Sequence, residues 1–486
     1  PFKLFRHEIG SSQSEDVLVY EEKDPTFYLA VGNSRSMQFI EINISSTTSS
    51  EVRLINSDTP EESPYIFLKR ESDHLYSIEH DPEDNRFLVE TNWLAKNFRL
   101  MAIDLKKSAD KNEWSELIPH REDILLQSAL AFPNHLVIME RENGLRQLKI
   151  ITKKDNTERS INFSDPAYSA YLAANPEYYS EKFYFGYSSL RTPDSLFSST
   201  LSTGRKRLLK QAEVKGPFSK SDYKVERKFI AGRDGTLIPV SLVYKRTTFK
   251  KNNNPLFVYG YGSYGNSIDA SFSSTRLSLL DRGYIFAIAH IRGGQELGRS
   301  WYEDGKMFNK LNTFYDFIDV TKGLLKKGFG QKGRVFAGGG SAGGLLMGAV
   351  VNMEPNLYKG IISNVPFVDV ITTMSDPSIP LTTGEYNEWG NPENKDEFEY
   401  MMKYSPYDNI EKLGYPSILV TAGLWDSQVQ YYEPSKYVAK LRDYNTSKNP
   451  ILFKVNMSAG HGGVSGRFES LKEVAMEYAF LIRVDK

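Results

Sequence analysis

The chain has 486 residues, which predicts two domains of ordinary size, and its formal net charge is −1. This balance argues against a nucleic-acid-binding tail and against general attraction to membranes. Cysteine is absent, which excludes disulfides and cysteine metal sites. No apolar run reaches the length of a membrane span, about 18 residues, so a soluble, cytoplasmic protein is expected.

Up to about residue 211, short alternating apolar and polar runs separated by turn residues predict β-strands and hardly any helix. The strands fall into four groups that recur about every 45 to 50 residues, the size of one four-stranded propeller blade. These groups span residues 17–55, 65–118, 124–163 and 168–210. The segment 4–10 resembles the last strand of a preceding blade. A pair of β-sandwiches is the alternative.

A turn-rich segment begins at Val214, and the pattern changes there. We therefore expect a partial β-propeller of about four blades in residues 1–213 and a second domain in residues 214–486. In the second domain, apolar strand candidates alternate with amphipathic runs, which predicts a largely parallel sheet with helices on both faces. The strand candidates begin at Leu256, Tyr284, Arg334, Gly360, Ser417 and Ile451, and helical runs include 312–327, 434–442 and 467–482.

The pentapeptide Gly339-Gly-Ser341-Ala-Gly343 matches G-x-S-x-G, whose glycines permit a strained strand-to-helix turn that exposes the serine hydroxyl. Chance alone would place such a pentapeptide in roughly one unrelated chain in four or five. Here a strand candidate precedes the motif and a helix candidate follows it, as an α/β-hydrolase nucleophile requires. The alternative is a glycine-rich turn whose serine only caps the helix.

A serine nucleophile needs a general base and a group that orients the base. In α/β-hydrolases the chain order is serine, acid, histidine, and His461 is the only histidine after Ser341. Asp426 follows the strand candidate at Ser417 and is the best-placed acid, with Asp408 and Glu433 as alternatives.

Acyl transfer also needs hydrogen-bond donors for the developing oxyanion. The backbone N–H of Ala342, next to the nucleophile at a helix start, is one expected donor. The second should come from the glycine-rich loop Tyr259-Gly-Tyr-Gly-Ser-Tyr-Gly265, and composition alone leaves its three tyrosines open. His290 is expected to be structural. Metal-ligand spacing and a dinucleotide fingerprint are absent from the sequence, so no metal or cofactor is expected.

Together these residues resemble the prolyl oligopeptidase family along the whole chain, and most closely its oligopeptidase B branch. The most specific matches are the 259–265 loop, Arg292-Gly-Gly, Gly340-Ser-Ala-Gly-Gly, Val365-Pro-Phe-Val-Asp, Leu381-Thr-Thr-Gly-Glu-Tyr-Asn-Glu-Trp-Gly-Asn-Pro and Gly460-His-Gly-Gly. The resemblance implies a hydrolase domain capped by a seven-bladed propeller that admits short peptides. It implies the triad Ser341, Asp426 and His461, and it selects Tyr261 as the side-chain oxyanion donor. Against that pattern, this chain is expected to begin after an N-terminal arm and about three blades.

The same resemblance locates the specificity pocket at Glu385, where relatives that cut after proline have an aromatic pocket. A carboxylate in a partly dry pocket favours a guanidinium or ammonium partner, so cleavage after Arg or Lys is expected. The branch usually has a second acid where this chain has Asn387, and a pair of aspartates where this chain has Asp269 and Ser271. A basic preference at the cut bond is therefore expected, with Asp269 as a further substrate contact, but not a strong dibasic preference.

The sequence thus predicts a cofactor-free serine endopeptidase that cuts short peptides after Arg or Lys through an acyl-enzyme. One alternative is an esterase or aminopeptidase-like hydrolase with the same triad. Another is a propeller binding module whose hydrolase domain is disabled.

Overall fold

The protein is described here from a computed structural model, which places residues 2–466 and 468–486. The first part of the chain forms separate small antiparallel sheets, and the second part forms one large mixed sheet covered by helices. This is the architecture of a β-propeller followed by an α/β-hydrolase domain, which confirms the predicted fold class.

The first two strands, β1 (Phe2–Arg6) and β2 (Val17–Glu22), pair with each other in a two-stranded antiparallel sheet. Four four-stranded sheets follow, and in each of them the strands pair in chain order. These sheets consist of β3 (Tyr28–Asn33), β4 (Phe39–Ser45), β5 (Ser50–Asn56) and β6 (Tyr65–Leu68); β7 (Tyr76–Asp81), β8 (Arg86–Thr91), β9 (Arg99–Ile103) and β10 (Ser115–Ile118); β11 (Ile124–Ala131), β12 (His135–Glu142), β13 (Leu145–Thr152) and β14 (Glu158–Ser160); and β15 (Tyr168–Leu172), β16 (Lys182–Ser189), β17 (Ser195–Thr200) and β18 (Lys206–Gln211).

Buried apolar clusters lie between consecutive sheets. Val52 and Leu54 of the β3–β6 sheet share a cluster with Phe87 of the next sheet, and Leu148 of the third sheet shares one with Phe183 of the fourth. Each sheet therefore packs face to face on its neighbour, as propeller blades do, and the sandwich alternative is wrong.

The predicted grouping of the first strands is wrong in two respects. β2 pairs with β1 rather than with the first four-stranded blade, and β6 is the outer strand of that blade rather than the start of the next. The alternation of apolar residues shows that a strand exists, but the neighbour it pairs with is decided by contacts that are distant in sequence.

The large sheet has the strand order β19-β20-β22-β21-β23-β24-β25-β26. β19 and β20 are antiparallel, and from β22 onward the neighbours are parallel. The strands are β19 (Tyr223–Ala231), β20 (Leu237–Lys245), β21 (Leu256–Tyr259), β22 (Ile285–Ala289), β23 (Val335–Gly340), β24 (Gly360–Asn364), β25 (Ser417–Gly423) and β26 (Ile451–Asn456). Sequence analysis predicted the parallel strands but not β19 and β20.

Helices cover both faces of this sheet. The α-helices are α1 (Leu277–Asp281), α2 (Arg299–Glu303), α3 (Leu311–Lys327), α4 (Ala342–Met353), α5 (Val370–Met374), α6 (Tyr386–Trp389), α7 (Lys395–Met402), α8 (Tyr432–Tyr444) and α9 (Glu469–Asp485). Short 3₁₀ helices span Gln13–Glu15, Leu105–Lys107, Lys111–Glu113, Lys220–Asp222, Met307–Asn309 and Thr382–Glu385. Arg467, the start of the predicted run 467–482, lies outside the described residues. None of the helices in the described ranges is long and apolar enough to cross a membrane.

Alternate residues of the central strands belong to different cores. Leu256 and Val258 of β21 pack in a cluster with α3 and α4, whereas Phe257 packs on the other face with Phe480 of α9. This alternation follows from the two-residue period of a strand buried on both faces. Because β21, β23, β24, β25 and β26 are parallel neighbours, the loops after them meet at one edge of the sheet. Those loops contain the predicted catalytic residues.

Candidate active site

Ser341 lies at the turn between β23 and α4, with φ 56° and ψ −119°. A non-glycine residue in this region costs of the order of 1–3 kcal/mol, so the surrounding contacts must impose it. Its N–H donates to the carbonyl of Asn364 at 2.8 Å, and its carbonyl accepts the N–H of Phe367 at 3.1 Å. Gly339 has no room for a Cβ because the carbonyl of Gly343 lies against it. The motif therefore forms the tight strand-to-helix turn that the sequence predicts.

His461 and Asp426 meet at the carboxyl ends of β26 and β25. His461 Nδ1 lies 2.8 Å from Asp426 Oδ2, and Asp426 Oδ1 accepts the N–H groups of Gln428 and Val429, both at 2.9 Å. The Asp426 side chain is 1% exposed. The two loops are also joined by the N–H of Trp425, which donates to the Ala459 carbonyl at 3.0 Å. Backbone hydrogen bonds therefore fix the orientation of the carboxylate that contacts the imidazole.

The two alternative acids have other partners. Glu433 is buried and accepts the N–H groups of Val368 and Asp369, and Asp408 accepts the Ser405 hydroxyl at 2.6 Å. Among the three candidate carboxylates, Asp426 is the one that contacts His461.

Ser341 and His461 lie at the same sheet edge but are not hydrogen-bonded to each other in the described part of the chain. Ser341 lines a cavity of about 240 Å³, and His461 lines a second cavity of about 450 Å³ whose wall includes Asn364. In free enzymes catalytic hydrogen bonds are often long and tighten only when substrate binds.

Two groups beside Ser341 can donate to an oxyanion. The N–H of Ala342 lies in the first turn of α4, where backbone N–H groups have no partner within the helix. Tyr261 lines the Ser341 cavity, and a Cβ added to Gly343 would lie 3.4 Å from its ring. Burial raises the pKa of Tyr261 to about 12, with a further contribution from nearby glutamate charges, so its hydroxyl stays protonated and able to donate.

The other two tyrosines of the loop are less available as donors. Tyr259 lines a different cavity, and the hydroxyl of Tyr264 donates to Glu385 at 2.9 Å. The role of Tyr261 as oxyanion donor stays a prediction.

Glu385 lines the same cavity as Ser341 and is the charged side chain in its described lining. Tyr264 Oη and Trp389 Nε1 both donate to its Oε2, at 2.9 and 2.7 Å, which leaves Oε1 available. Burial raises the pKa of the Glu385 carboxyl, although these two hydrogen bonds lower it. A negative charge with one oxygen available in a half-buried cavity is suited to a cationic side chain.

The residues two and three positions after Glu385 face elsewhere. Asn387 is exposed, and Glu388 is buried, where it accepts the N–H of Tyr264 at 2.8 Å and the hydroxyl of Tyr302 at 2.5 Å. Neither residue lines the Ser341 cavity, so the described lining has no second acid beside Glu385.

Asp269, a predicted substrate contact, is engaged by the propeller. Its Oδ1 lies 2.8 Å from Arg141 Nη1, and its Oδ2 lies 3.1 Å from Arg146 Nη1. The Arg141 side chain is fully buried. Asp269 and Ser271 line a third cavity, not the one shared by Ser341 and Glu385. The structure therefore gives Asp269 an interdomain role and does not bring it to the nucleophile's cavity.

Sequence reasoning missed Lys310, which supports the loop of residues 259–265. The buried ammonium of Lys310 donates to the Gly262 carbonyl at 2.6 Å and to the Ser263 hydroxyl at 2.8 Å. Burial lowers the pKa of Lys310 to about 8. A single lysine before a helix gives no sequence signal for such a contact.

Comparisons with known proteins show the family of the chain. The sequence profile of the prolyl oligopeptidase family matches residues 270–486, and the profile of its N-terminal β-propeller domain matches residues 2–212. Protease 2 of Moraxella lacunata is 42% identical over 99% of this chain and 69% of its own length. The chain belongs to the prolyl oligopeptidase family. Members of this family are serine peptidases.

The chain is also similar to other proteins of this family. Dipeptidyl aminopeptidase BI of Pseudoxanthomonas mexicana is 48% identical over 98% of this chain, which spans 65% of that protein's length. The structure of oligopeptidase B from Leishmania major matches with a TM-score of 0.95 at 38% identity, over 99% of this chain and 68% of that one. The expectation of an arm and about three blades ahead of this chain stays a prediction.

Proposed function

We propose that this protein is an oligopeptidase B-like serine endopeptidase that cuts short peptides after Arg or Lys. Ser341 Oγ attacks the scissile carbonyl while His461 takes its proton, and Asp426 holds the imidazole in the tautomer that accepts at Nε2. The N–H of Ala342 and the hydroxyl of Tyr261 donate to the developing oxyanion. His461 then protonates the leaving amine, and water hydrolyses the acyl-enzyme by the same route. The reaction requires no cofactor or metal.

The observation that carries the specificity is the shared cavity of Ser341 and Glu385. A peptide whose carbonyl lies at Ser341 can extend its side chain into this cavity, where Glu385 Oε1 is available to a guanidinium or ammonium group. Thr382, Phe367 and Ile379 provide apolar or neutral walls for the methylene part of an Arg or Lys side chain. The relatives named protease 2 and oligopeptidase B support the same assignment.

Contacts from the propeller support a limit on substrate size. Thr47 donates to the carbonyl of Gly384, next to Glu385, at 3.3 Å, and Asn97 accepts the N–H of Arg299 at 2.8 Å. The propeller thus lies against the segment that carries Glu385 and against the hydrolase domain at Arg299. A substrate that reaches the Ser341 cavity must pass these contacts between the two domains, and short, flexible peptides do so most easily.

Turnover of blocked amide substrates that carry Arg, Lys, Ala or Pro before the scissile bond tests the proposal. We expect kcat/KM to be highest for Arg and Lys, and Glu385→Gln to lower it for these two substrates while Ala and Pro substrates change little. Asn387→Asp is a matched control, because Asn387 does not line the cavity. Equal turnover of the Arg and Ala substrates by the wild-type protein would remove Glu385 from its role.

The relative named dipeptidyl aminopeptidase BI supports a second candidate, removal of dipeptides from a free N-terminus. Such an enzyme needs a carboxylate free to bind the substrate ammonium group, and Asp269 is already paired with Arg141 and Arg146. Comparing Ala-Arg amide substrates with free and acetylated N-termini separates the two activities. An endopeptidase cuts both substrates, whereas a dipeptidyl aminopeptidase requires the free amine.

A further inference from the structure

Helix α9 carries two carboxylates, Glu473 and Glu477, that face the sheet edge beside His461. They are one helical turn apart and therefore lie on the same face of the helix. Both line the 450 Å³ cavity that His461 and Asn364 also line. Neither residue has a role in the proposed reaction, yet Glu473 is hydrogen-bonded to Asn456 before the His461 loop, and Glu477 to Asn364, which contacts the Ser341 turn.

Glu477 holds the loop behind the nucleophile. Its Oε1 accepts Asn364 Nδ2 at 2.7 Å, and the other end of that amide accepts the Thr421 hydroxyl at 2.9 Å. The carbonyl of Asn364 in turn accepts the N–H of Ser341 at 2.8 Å. The amide of Asn364 is therefore fixed at both ends, and its backbone fixes the nucleophile.

The residues after Asn364 explain why this support is needed. Val365 has φ 40°, an unfavourable conformation for a β-branched residue, and it precedes a proline. Pro366 packs so closely on Gly344 that a Cβ there would clash, and the N–H of Phe367 donates to the carbonyl of Ser341. A strained segment thus holds both backbone groups of Ser341, and loss of its anchor would let it relax.

Glu473 supports the loop that carries the base. Its Oε1 accepts Asn456 Nδ2 at 2.9 Å, and Asn456 Oδ1 accepts the N–H of Ser458 at 3.1 Å. Its other oxygen lies against the turn after His461, because a Cβ added to Gly463 would be 2.7 Å from Glu473 Oε2. Glu473 therefore contacts the chain both before and after His461.

We propose that Glu477 and Glu473 are positioning residues, through which α9 fixes the Ser341 turn relative to the His461 loop. They act through Asn364 and Asn456 and do not contact substrate. The inference rests on the proposed function and adds a requirement to it, namely that the C-terminal helix sets the distance between nucleophile and base. Because a displacement of about 1 Å can cost about a hundredfold in rate, small losses of support become measurable.

The test compares Glu477→Ala, Glu477→Gln, Glu473→Ala and Glu473→Gln with the wild-type chain. Four quantities are measured for each: the second-order rate of reaction with a fluorophosphonate, kcat and KM for a blocked Arg amide, and Tm. We expect each alanine variant to lower the fluorophosphonate rate and kcat by about tenfold or more with KM within about twofold. Each glutamine variant keeps the acceptor oxygen and should regain most of the rate.

Glu469→Ala is the matched control, because Glu469 lies on the same helix and lines the same cavity but pairs with exposed Lys472. It should leave all four quantities unchanged. If Glu477→Ala does not fold, Thr421→Val removes the other anchor of Asn364 and should lower kcat without raising KM.

The outcomes separate the two proposals. Failure of the wild-type protein to react with the fluorophosphonate contradicts the proposed function itself. A reactive wild type with folded alanine variants that react at the same rate overturns the positioning role alone. Glutamine variants as slow as the alanine variants would also overturn it, since the acceptor oxygen would then be irrelevant.

Discussion

Asp426 Oδ2 lies 2.8 Å from His461 Nδ1, and the other oxygen of the same carboxylate accepts two backbone N–H groups from residues 428 and 429. The imidazole is thus held by a group whose own orientation is fixed by the loop after β25. In a serine–histidine–acid triad this bond selects the tautomer in which the base faces the nucleophile. The consequence can be measured by changing one atom of the carboxylate.

Asp426→Asn should lower kcat by about a thousandfold to ten-thousandfold, because an amide that donates to Nδ1 stabilises the wrong imidazole tautomer. KM and the far-UV circular dichroism spectrum should change little. Asp408→Asn is the control, since Asp408 is bonded to Ser405 and not to His461. Equal losses in the two variants would contradict the assignment of Asp426.

Tyr261→Phe should lower kcat by about a hundredfold to a thousandfold with little change in KM, because one oxyanion donor is lost and the ring is kept. Tyr259→Phe removes the equivalent hydroxyl from a tyrosine that lines another cavity and should keep near-normal activity. Steady-state kinetics with a blocked Arg amide distinguish the two variants. A larger loss in Tyr259→Phe would move the oxyanion donor to that residue.

The preference for basic residues should decline at low pH. Burial raises the pKa of Glu385 above its ordinary value, so the carboxyl takes up a proton as the pH falls through that raised pKa and loses the charge that attracts Arg. The ratio of kcat/KM for Arg and Ala substrates should therefore fall with decreasing pH and level off above the pKa. In Glu385→Gln the ratio should be low and independent of pH, and a pH-dependent ratio in that variant would contradict the prediction.

Asp269→Ala should destabilise the protein by about 3–5 kcal/mol, because it leaves the buried guanidinium of Arg141 without its ion-pair partner. Ser271→Ala, in the same loop, should cost much less. Urea unfolding measures both free energies of unfolding. If Asp269→Ala instead leaves stability unchanged and selectively slows substrates with two consecutive basic residues, Asp269 is a substrate contact, as sequence analysis expected.

Features encoded in short segments could be predicted from the sequence. The turn at Ser341 follows from the glycines around it, and the places of Asp426 and His461 follow from the order of strands in a parallel sheet. The parallel strands from Leu256 to Ile451 were visible as apolar runs because they are buried on both faces. These predictions depend on local residue patterns and on the order of the strands along the chain.

Features made by distant residues could not be predicted in this way. Asp269 pairs with Arg141, 128 positions earlier, and Glu388 holds Tyr264, 124 positions earlier. The membership of β2 and β6 in particular blades likewise depends on which strands meet in space. The same holds for Glu477 and Asn364, whose contact forms only when α9 packs on the sheet.

Labelling with a fluorophosphonate, followed by mass spectrometry of the modified peptide, tests most directly whether Ser341 is an activated nucleophile. We predict a single adduct on Ser341, which is lost in Ser341→Ala and greatly slowed in His461→Ala, while Ser363→Ala still reacts. Absence of labelling in the intact protein, or labelling that persists in Ser341→Ala, would contradict the proposed mechanism and favour a disabled hydrolase domain.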